Sequence, residues 1–271
     1  MYESYWGLNE PAFGLTPDPR FLYMSRAHED ALTMLHYAVL RNKGAAVLSG
    51  DIGLGKTTVS RKLIEMLDPS QYRLVLIVNP VLTPMQMLTE IVQQLNLEIT
   101  AKSRQALVQQ LHKALLAFYM SGQRVVLMID EAHLIKNAAA FEELRLLLNC
   151  QMNDQFLITL LLLGQRELRE KLEKVPALEQ RLSVRCALEP LEVQETGELI
   201  LHRMRVAGYT GERSPFTPDA VYQLHKTSGG YPRMISTLAD NALMVGSAKN
   251  DKIIDAYLMH DVCSQHLGVA A

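Results

Sequence analysis

Short apolar runs and longer stretches with a helical repeat alternate through the first part of the chain. AAVLSG (45–50), YRLVLIVN (72–79), RVVLMID (124–130) and FLITLLLLG (156–164) are continuous enough to be strands buried on both faces, and the run around SVRCALEP (183–190) is a fifth candidate. Between them, residues 26–42, 56–67, 84–95, 103–120 and 138–149 carry helical periodicity, with Pro84 near a first turn where its missing N–H is not needed. Strand and helix alternating on this period predict a parallel sheet covered by helices. From about residue 192 the strand signal stops. VQETGELILHRMRVAG, TPDAVYQLHKTS, YPRMISTLADNALMVG and IDAYLMHDVCSQH all repeat as helices, which predicts a small all-helical domain. The first residues are rich in proline, glycine and aromatics (Trp6, Pro11, Phe13, Pro17, Pro19, Phe21, Tyr23), the pattern of an ordered arm without regular structure. The expected division is an arm over 1–25, an α/β domain over 26–191 and a helical lid domain over 192–271.

Composition narrows the class. Apolar residues make up 48% of the 271 positions and charged residues 21%, the profile of a globular protein able to bury a sizeable core. With 27 Lys and Arg against 29 Asp and Glu, the net charge of −2 supplies no global positive field for nucleic acid or anionic membrane. Cys150, Cys186 and Cys263 are odd in number and widely spaced, which argues against a disulfide framework or a zinc site and for a reducing compartment. The start lacks the basic and apolar regions of a signal peptide, and no window approaches the ~18 apolar residues of a membrane span. A cytoplasmic location is expected.

The segment GDIGLGKT (Gly50 to Thr57) fits G-x-x-x-x-G-K-[ST] and lies between a predicted strand and a predicted helix, the context that motif requires. Its glycines, Gly50, Gly53 and Gly55, with Leu54 between the last two, let the backbone wrap a polyphosphate so that successive N–H groups point at it. Lys56 supplies a mobile cation for the terminal phosphates, the Thr57 hydroxyl can ligate Mg²⁺, and Thr58 adds a contact to the α-phosphate. In VVLMIDEAHL, the acid after the buried strand, Asp130, is placed to help hold Mg²⁺, and Glu131 is the carboxylate a hydrolase needs to deprotonate an attacking water. The letters DEAH also occur in a class of helicases, but only residues 134–271 follow His133, mostly helical, and leave no room for a second motor domain. No [NT]-K-x-D tetrad for guanine follows. His133 reads as a supporting or loop residue.

The head MYESYWGLNEPAFGLTPDPRFLYMSRAHEDAL, the phosphate loop, LMIDEAHL, FEELRLLLN, LLLGQREL, LEQRLSVRCALEPL and GGYPRMISTLADNAL together resemble the ExeA/GspA-like branch of AAA+ ATPases, in order and over nearly the whole chain. The resemblance implies an α/β P-loop AAA+ module with a five-stranded parallel sheet and a helical lid. It implies ATP and Mg²⁺ as ligands, and a ring or helical homo-oligomer with nucleotide at subunit interfaces. It also implies roles by position: Gln165 as the polar sensor after the fourth strand, Arg181 as the arginine reaching a neighbour's nucleotide with Arg185 second, and Arg233 as the lid arginine on the phosphates. Arginine suits such roles because it is always charged and grips phosphate with two parallel donors. The arm, including Phe13 and Tyr23, packs near the adenine or is ordinary packing.

Proteins of the ExeA type continue into a membrane span and a peptidoglycan-binding region, whereas this chain stops at Ala271. It is therefore expected to be either the cytosolic part or a stand-alone relative. Two roles follow from the resemblance. One is an assembly ATPase for secretion, pilus or exopolysaccharide export with a protein client. The other is a DNA-bound regulator of transposition of the TnsC/TniB/IstB type. For the second, Lys102, Arg104, Lys113 and Arg124 are candidate DNA contacts, more readily read as solvated charges.

Overall fold

The structure is a computed structural model that describes residues 2–14, 18–100, 103–152 and 155–266. Pro17 and Lys102 lie outside the described residues. The chain divides into two compact units, one formed by Ala27–Ile52 and Val59–Leu188, the other by Met1–Arg26, Gly53–Thr58 and Glu189–Ala271.

The strands are β1 (Ala45–Ser49), β2 (Tyr72–Ile77), β3 (Arg124–Ile129), the short pair β4 (Gln151–Met152) and β5 (Gln155–Phe156), β6 (Ile158–Gly164) and β7 (Leu182–Ala187). Five form a fully parallel sheet in the order β2-β3-β6-β1-β7. Val47 lies opposite Leu162, and Leu127 opposite both Leu160 and Val75, so branched side chains stack across the sheet. Every residue of β1 and β6 is buried, as continuous apolar runs require of central strands covered on both faces. β7 alternates buried and exposed positions because it is an edge strand, and Ser183 and Arg185 take the exposed ones. The antiparallel β4–β5 pair, which periodicity does not reveal, brings Phe156 onto Gly44, where a β-carbon would stand 2.9 Å from the ring.

Helices in this region are α1 (Arg26–Leu40), α2 (Lys56–Met66), α3 (Pro84–Gln94), α4 (Arg104–Met120), α5 (Ala138–Leu147), α6 (Glu167–Glu173) and α7 (Pro176–Glu179). They start where the local chemistry allows. Thr83 accepts from the Gln86 N–H while the Gln86 side chain accepts from the Thr83 N–H, a reciprocal cap that fixes Pro84 in the first turn of α3. Leu88, Ile91, Leu107, Leu111 and Leu115 of α3 and α4 are fully buried against the sheet core. Burial of one such side chain contributes roughly 1.5–3 kcal/mol.

The second unit contains α8 (Val193–Val206), α9 (Pro218–Ser228), α10 (Pro232–Lys249) and α11 (Ala256–His266). Ile200, Leu224, Leu238, Leu243 and Met259 form its core. Trp6, Leu8, Ala12, Phe13 and Phe21 of the arm belong to that same core, and the arm has one turn of 3₁₀ helix at Pro19–Phe21. The Trp6 indole N–H donates to the Leu243 carbonyl at 2.9 Å, and the Asn9 N–H donates to the Ala207 carbonyl at 2.7 Å. Phe13 and Tyr23 are accounted for by this packing: Phe13 is buried among the helices, and the Tyr23 hydroxyl donates to Glu198 at 2.5 Å. Among the described residues no helix is long and apolar enough to cross a membrane. Cys150, Cys186 and Cys263 are free and buried, and burial pushes each thiol above its ordinary range.

Candidate functional site

In a parallel sheet the carboxyl ends of all strands share one edge, which is where open α/β sheets bind ligands. Here β1 runs into the glycine turn, β3 into Asp130 and β6 into Gln165. The β1 and β6 ends are fastened together, since the Gly50 N–H donates to the Gly164 carbonyl at 3.2 Å and Arg166 pairs with Asp51 at 3.0 Å. Arg169 adds a bond from its Nε to the Ser49 hydroxyl at 2.9 Å.

The turn itself follows from its residue types. Gly53 and Gly55 have φ of +85° and +93°, a conformation that only glycine adopts without strain. Leu54 is fully buried and anchors the loop, while Thr57 is exposed and Thr58 partly so. Lys56 opens α2 and is 6% exposed, in the first helical turn, where backbone N–H groups have no intrahelical partner. A positively curved, glycine-built backbone leading into a helix N-terminus with a buried lysine fits a polyphosphate. For Mg²⁺ the sequence offers Asp130 and the Thr57 hydroxyl, and among the described residues no group of three or more His, Cys, Asp or Glu is arranged to hold a metal ion by itself. Such a donor set fits a cation that keeps waters and takes its remaining oxygens from phosphate.

Within the helical unit, GGYPR is explained by close backbone approach. A β-carbon on Gly230 would stand 2.3 Å from the Leu191 carbonyl oxygen, and the Leu191 N–H donates to the Gly230 carbonyl at 2.9 Å. Pro232 then starts α10 and Arg233 follows it, exposed, with its β-carbon 3.3 Å from where a β-carbon on Gly53 would lie. Arg233 and the glycine turn are thus brought together.

At the end of β3, Asp130 is 7% exposed and its carboxylate accepts the Glu131 N–H at 2.9 Å. Glu131 has φ +50° and ψ +34°, the left-handed region. Among the described residues every other non-glycine at positive φ is an asparagine, so a glutamate there carries backbone strain of the kind that collects at functional positions. Its carboxylate is 40% exposed and 3.3 Å from His133 Nδ1. His133 lies in the 3₁₀ turn Ala132–Leu134, and Gln165 meets its ring twice, through the backbone N–H to Nδ1 at 3.3 Å and through the side-chain amide to Nε2 at 2.9 Å. Asp130, Glu131 and Gln165 are therefore brought together at one edge, with His133, which the sequence marks only as a supporting or loop residue, as the link. The one signal in the sequence was its place two positions beyond Glu131.

Arg181 and Arg185 differ in placement. The Arg181 guanidinium is held inside its own chain by Asn149 at 2.6 Å, and its other terminal nitrogen is buried without a partner. Arg185 on the edge strand has half of its side chain exposed and donates to the Glu179 carbonyl at 3.0 Å. Of the DNA-contact candidates, Arg104 grips the buried Glu143 carboxylate at 2.6 Å and Arg124 donates to the Leu40 carbonyl at 2.9 Å, while Lys113 is exposed.

Fold and site together define a P-loop ATPase of the AAA class. Residues 39–172 match the family model described as "AAA domain". Over 253 residues the chain is 37% identical to general secretion pathway protein A of Aeromonas hydrophila, in line with the ExeA/GspA-like resemblance of its motifs. That alignment covers 92% of this chain and 45% of the relative, so the chain spans about half the length of the curated protein it matches. The fold is also similar to the Aeropyrum pernix ORC2 protein in its ADPNP–ADP complexes, with TM-score 0.67, 17% identity and coverage of 98% of this chain and 74% of that one. Drosophila ORC bound to DNA gives TM-score 0.69 at 16% identity, covering all of this chain and 67% of that one. At these identities the two structures speak to fold alone.

Proposed function

We propose that this protein binds and hydrolyses Mg-ATP and assembles into a ring or helical homo-oligomer that serves export across the envelope, as secretion, pilus or polysaccharide machinery, from the reducing cytoplasm. The observation that supports the chemistry best is the meeting of Asp130–Glu131 and Gln165, through His133, at the sheet edge where β1 leads into the glycine turn. The relation to general secretion pathway protein A supports the role.

Each residue has a task in this reading. The turn N–H groups and Lys56 bind the β- and γ-phosphates, Thr58 the α-phosphate, and Arg233 the terminal phosphates from the lid. Thr57 and Asp130 would hold Mg²⁺, which when bound would neutralise phosphate charge. Glu131 takes the proton of the attacking water, and Gln165 orients that water or the γ-phosphate. An arginine from a neighbouring copy completes the site; such a finger is worth ~10³–10⁵ in rate and makes turnover depend on assembly. Arg181 is the better match by position, while Arg185, paired with Glu179 but with half of its side chain exposed, is the more open of the two to a neighbour.

The test is ATP turnover against protein concentration, with and without duplex DNA, alongside the Lys56→Ala variant. The proposal expects turnover that rises with concentration, is absent in Lys56→Ala and is indifferent to DNA. A monomer inert at every concentration overturns it. Stimulation by duplex DNA that falls steeply with salt would favour the transposition role over export.

A further inference from the structure

His133 stands between the two groups that the proposed hydrolysis depends on. Its ring is 10% exposed, and three contacts fix it: Glu131 Oε2 at 3.3 Å and the Gln165 backbone N–H at 3.3 Å share Nδ1, and the Gln165 side-chain amide lies 2.9 Å from Nε2. The backbone that carries it is held just as firmly. The Lys171 ammonium donates to the His133 carbonyl and, at 2.9 Å, to the Ile135 carbonyl. A β-carbon on Gly164 would stand 3.1 Å from the His133 backbone nitrogen, so glycine at the end of β6 is what lets the two strand ends approach this closely.

We infer that His133 is a positioning residue that joins the base Glu131 to the sensor Gln165, so that the water-activating carboxylate and the phosphate-facing amide are set as one unit. The inference rests on the hydrolytic reading above.

The chemistry of the ring gives the coupling its content. A neutral imidazole has one N–H donor and one lone-pair acceptor. With the proton on Nδ1, the ring donates to the Glu131 carboxylate, accepts the Gln165 amide N–H at Nε2 and gives up the bond from the Gln165 backbone N–H. The Gln165 oxygen is then left to face outward as an acceptor for water. With the proton on Nε2, the ring donates to the Gln165 oxygen and accepts the Gln165 backbone N–H at Nδ1. The Gln165 NH₂ then faces outward as a donor suited to a phosphate oxygen, and Glu131 is released from the ring. The position of one proton therefore sets both the freedom of the base and the polarity that the sensor presents. No charge need enter or leave the site. With the proton on Nδ1, the carboxylate of a strained left-handed residue has a fixed partner, which limits the orientations it samples before a water is in place.

Single replacements separate the two bonds. Asn at 133 can keep a polar atom near the Nδ1 position, Gln can keep one near the Nε2 position, and Ala keeps neither. Steady-state turnover of the full chain and binding of a fluorescent ATP analogue are measured for His133→Ala, His133→Gln, His133→Asn, Gln165→Ala and the His133→Ala/Gln165→Ala double variant. Lys56→Ala and Glu131→Gln serve as controls. The expected result is a fall in kcat of about tenfold or more for His133→Ala with KM and analogue affinity within about twofold, because the ring touches no substrate in this reading. Partial recovery is expected in His133→Gln, and the double variant should be no slower than Gln165→Ala alone, since the histidine acts through that side chain. Unchanged kcat in His133→Ala, a loss confined to affinity, or losses that multiply in the double variant would overturn the coupling. Normal turnover in both Lys56→Ala and Glu131→Gln would instead overturn the hydrolytic reading itself, so the two failures are told apart.

Discussion

A β-carbon built on Gly53 would lie 3.3 Å from the Arg233 β-carbon, tight enough that one of the two backbones must give. Gly53 also sits at φ +85°, so alanine there meets strain and crowding together. Gly53→Ala is expected to weaken ATP-analogue binding about tenfold or more and to lower the melting temperature by several degrees, for a cost of ~1–2 kcal/mol. Gly122→Ala is the control: φ is +80° and no atom lies within 4 Å, so it should lose comparable stability and keep nucleotide affinity. Equal affinity losses in the two would show that strain alone, not the Arg233 contact, matters.

Glu131 separates stability from function. Glu131→Gln should retain nucleotide and lose about a hundredfold or more in kcat, as loss of a general base implies. Glu131→Gly removes the same carboxylate and also relieves the left-handed backbone, so it should lose turnover while unfolding at equal or higher denaturant by up to ~1 kcal/mol. A Glu131→Gly protein that melts well below the parent would contradict the strain read from φ +50°.

The two arginines predict opposite phenotypes. Arg185→Ala should bind nucleotide normally, stay folded and lose assembly-dependent hydrolysis, with partial recovery when mixed with Lys56→Ala at hybrid interfaces. Arg181→Ala removes the Asn149 contact and leaves the Asn149 amide oxygen without that donor, so its signature should be lower thermal stability. Hydrolysis lost in Arg181→Ala with no change in melting, and kept in Arg185→Ala, would reverse the assignment.

Trp6 is the single tryptophan and lies in the core of the helical unit. Its emission should be blue-shifted in the native protein and report the unfolding of that unit. Trp6→Ala removes the bond to Leu243 and opens a cavity beside Gly246, where a β-carbon would already be 3.0 Å from the indole. A loss of ~3–5 kcal/mol is expected by calorimetry. A native emission maximum typical of water-exposed indole would refute the packing of the arm.

The elements were readable because their signals are local. β1 and β6 are unbroken apolar runs, α3 and α9 start with a threonine cap and a proline, and each is found where the pattern put it. The short α6 and α7 and the β4–β5 pair carry too few residues for a period to show, and only neighbours hold them in place.

By itself the sequence determined the parallel α/β class, the helical segment after it and the phosphate turn, since hydrophobic period and glycine placement act over a few residues. Tertiary structure alone decided the rest: that β6 lies between β1 and β3, that Gly164 admits His133 against Gln165, that Glu131 turns left-handed, and that Arg181 is tied to Asn149. Those outcomes depend on which residues distant along the chain compete for the same space and the same hydrogen bonds, and no window of sequence contains that competition.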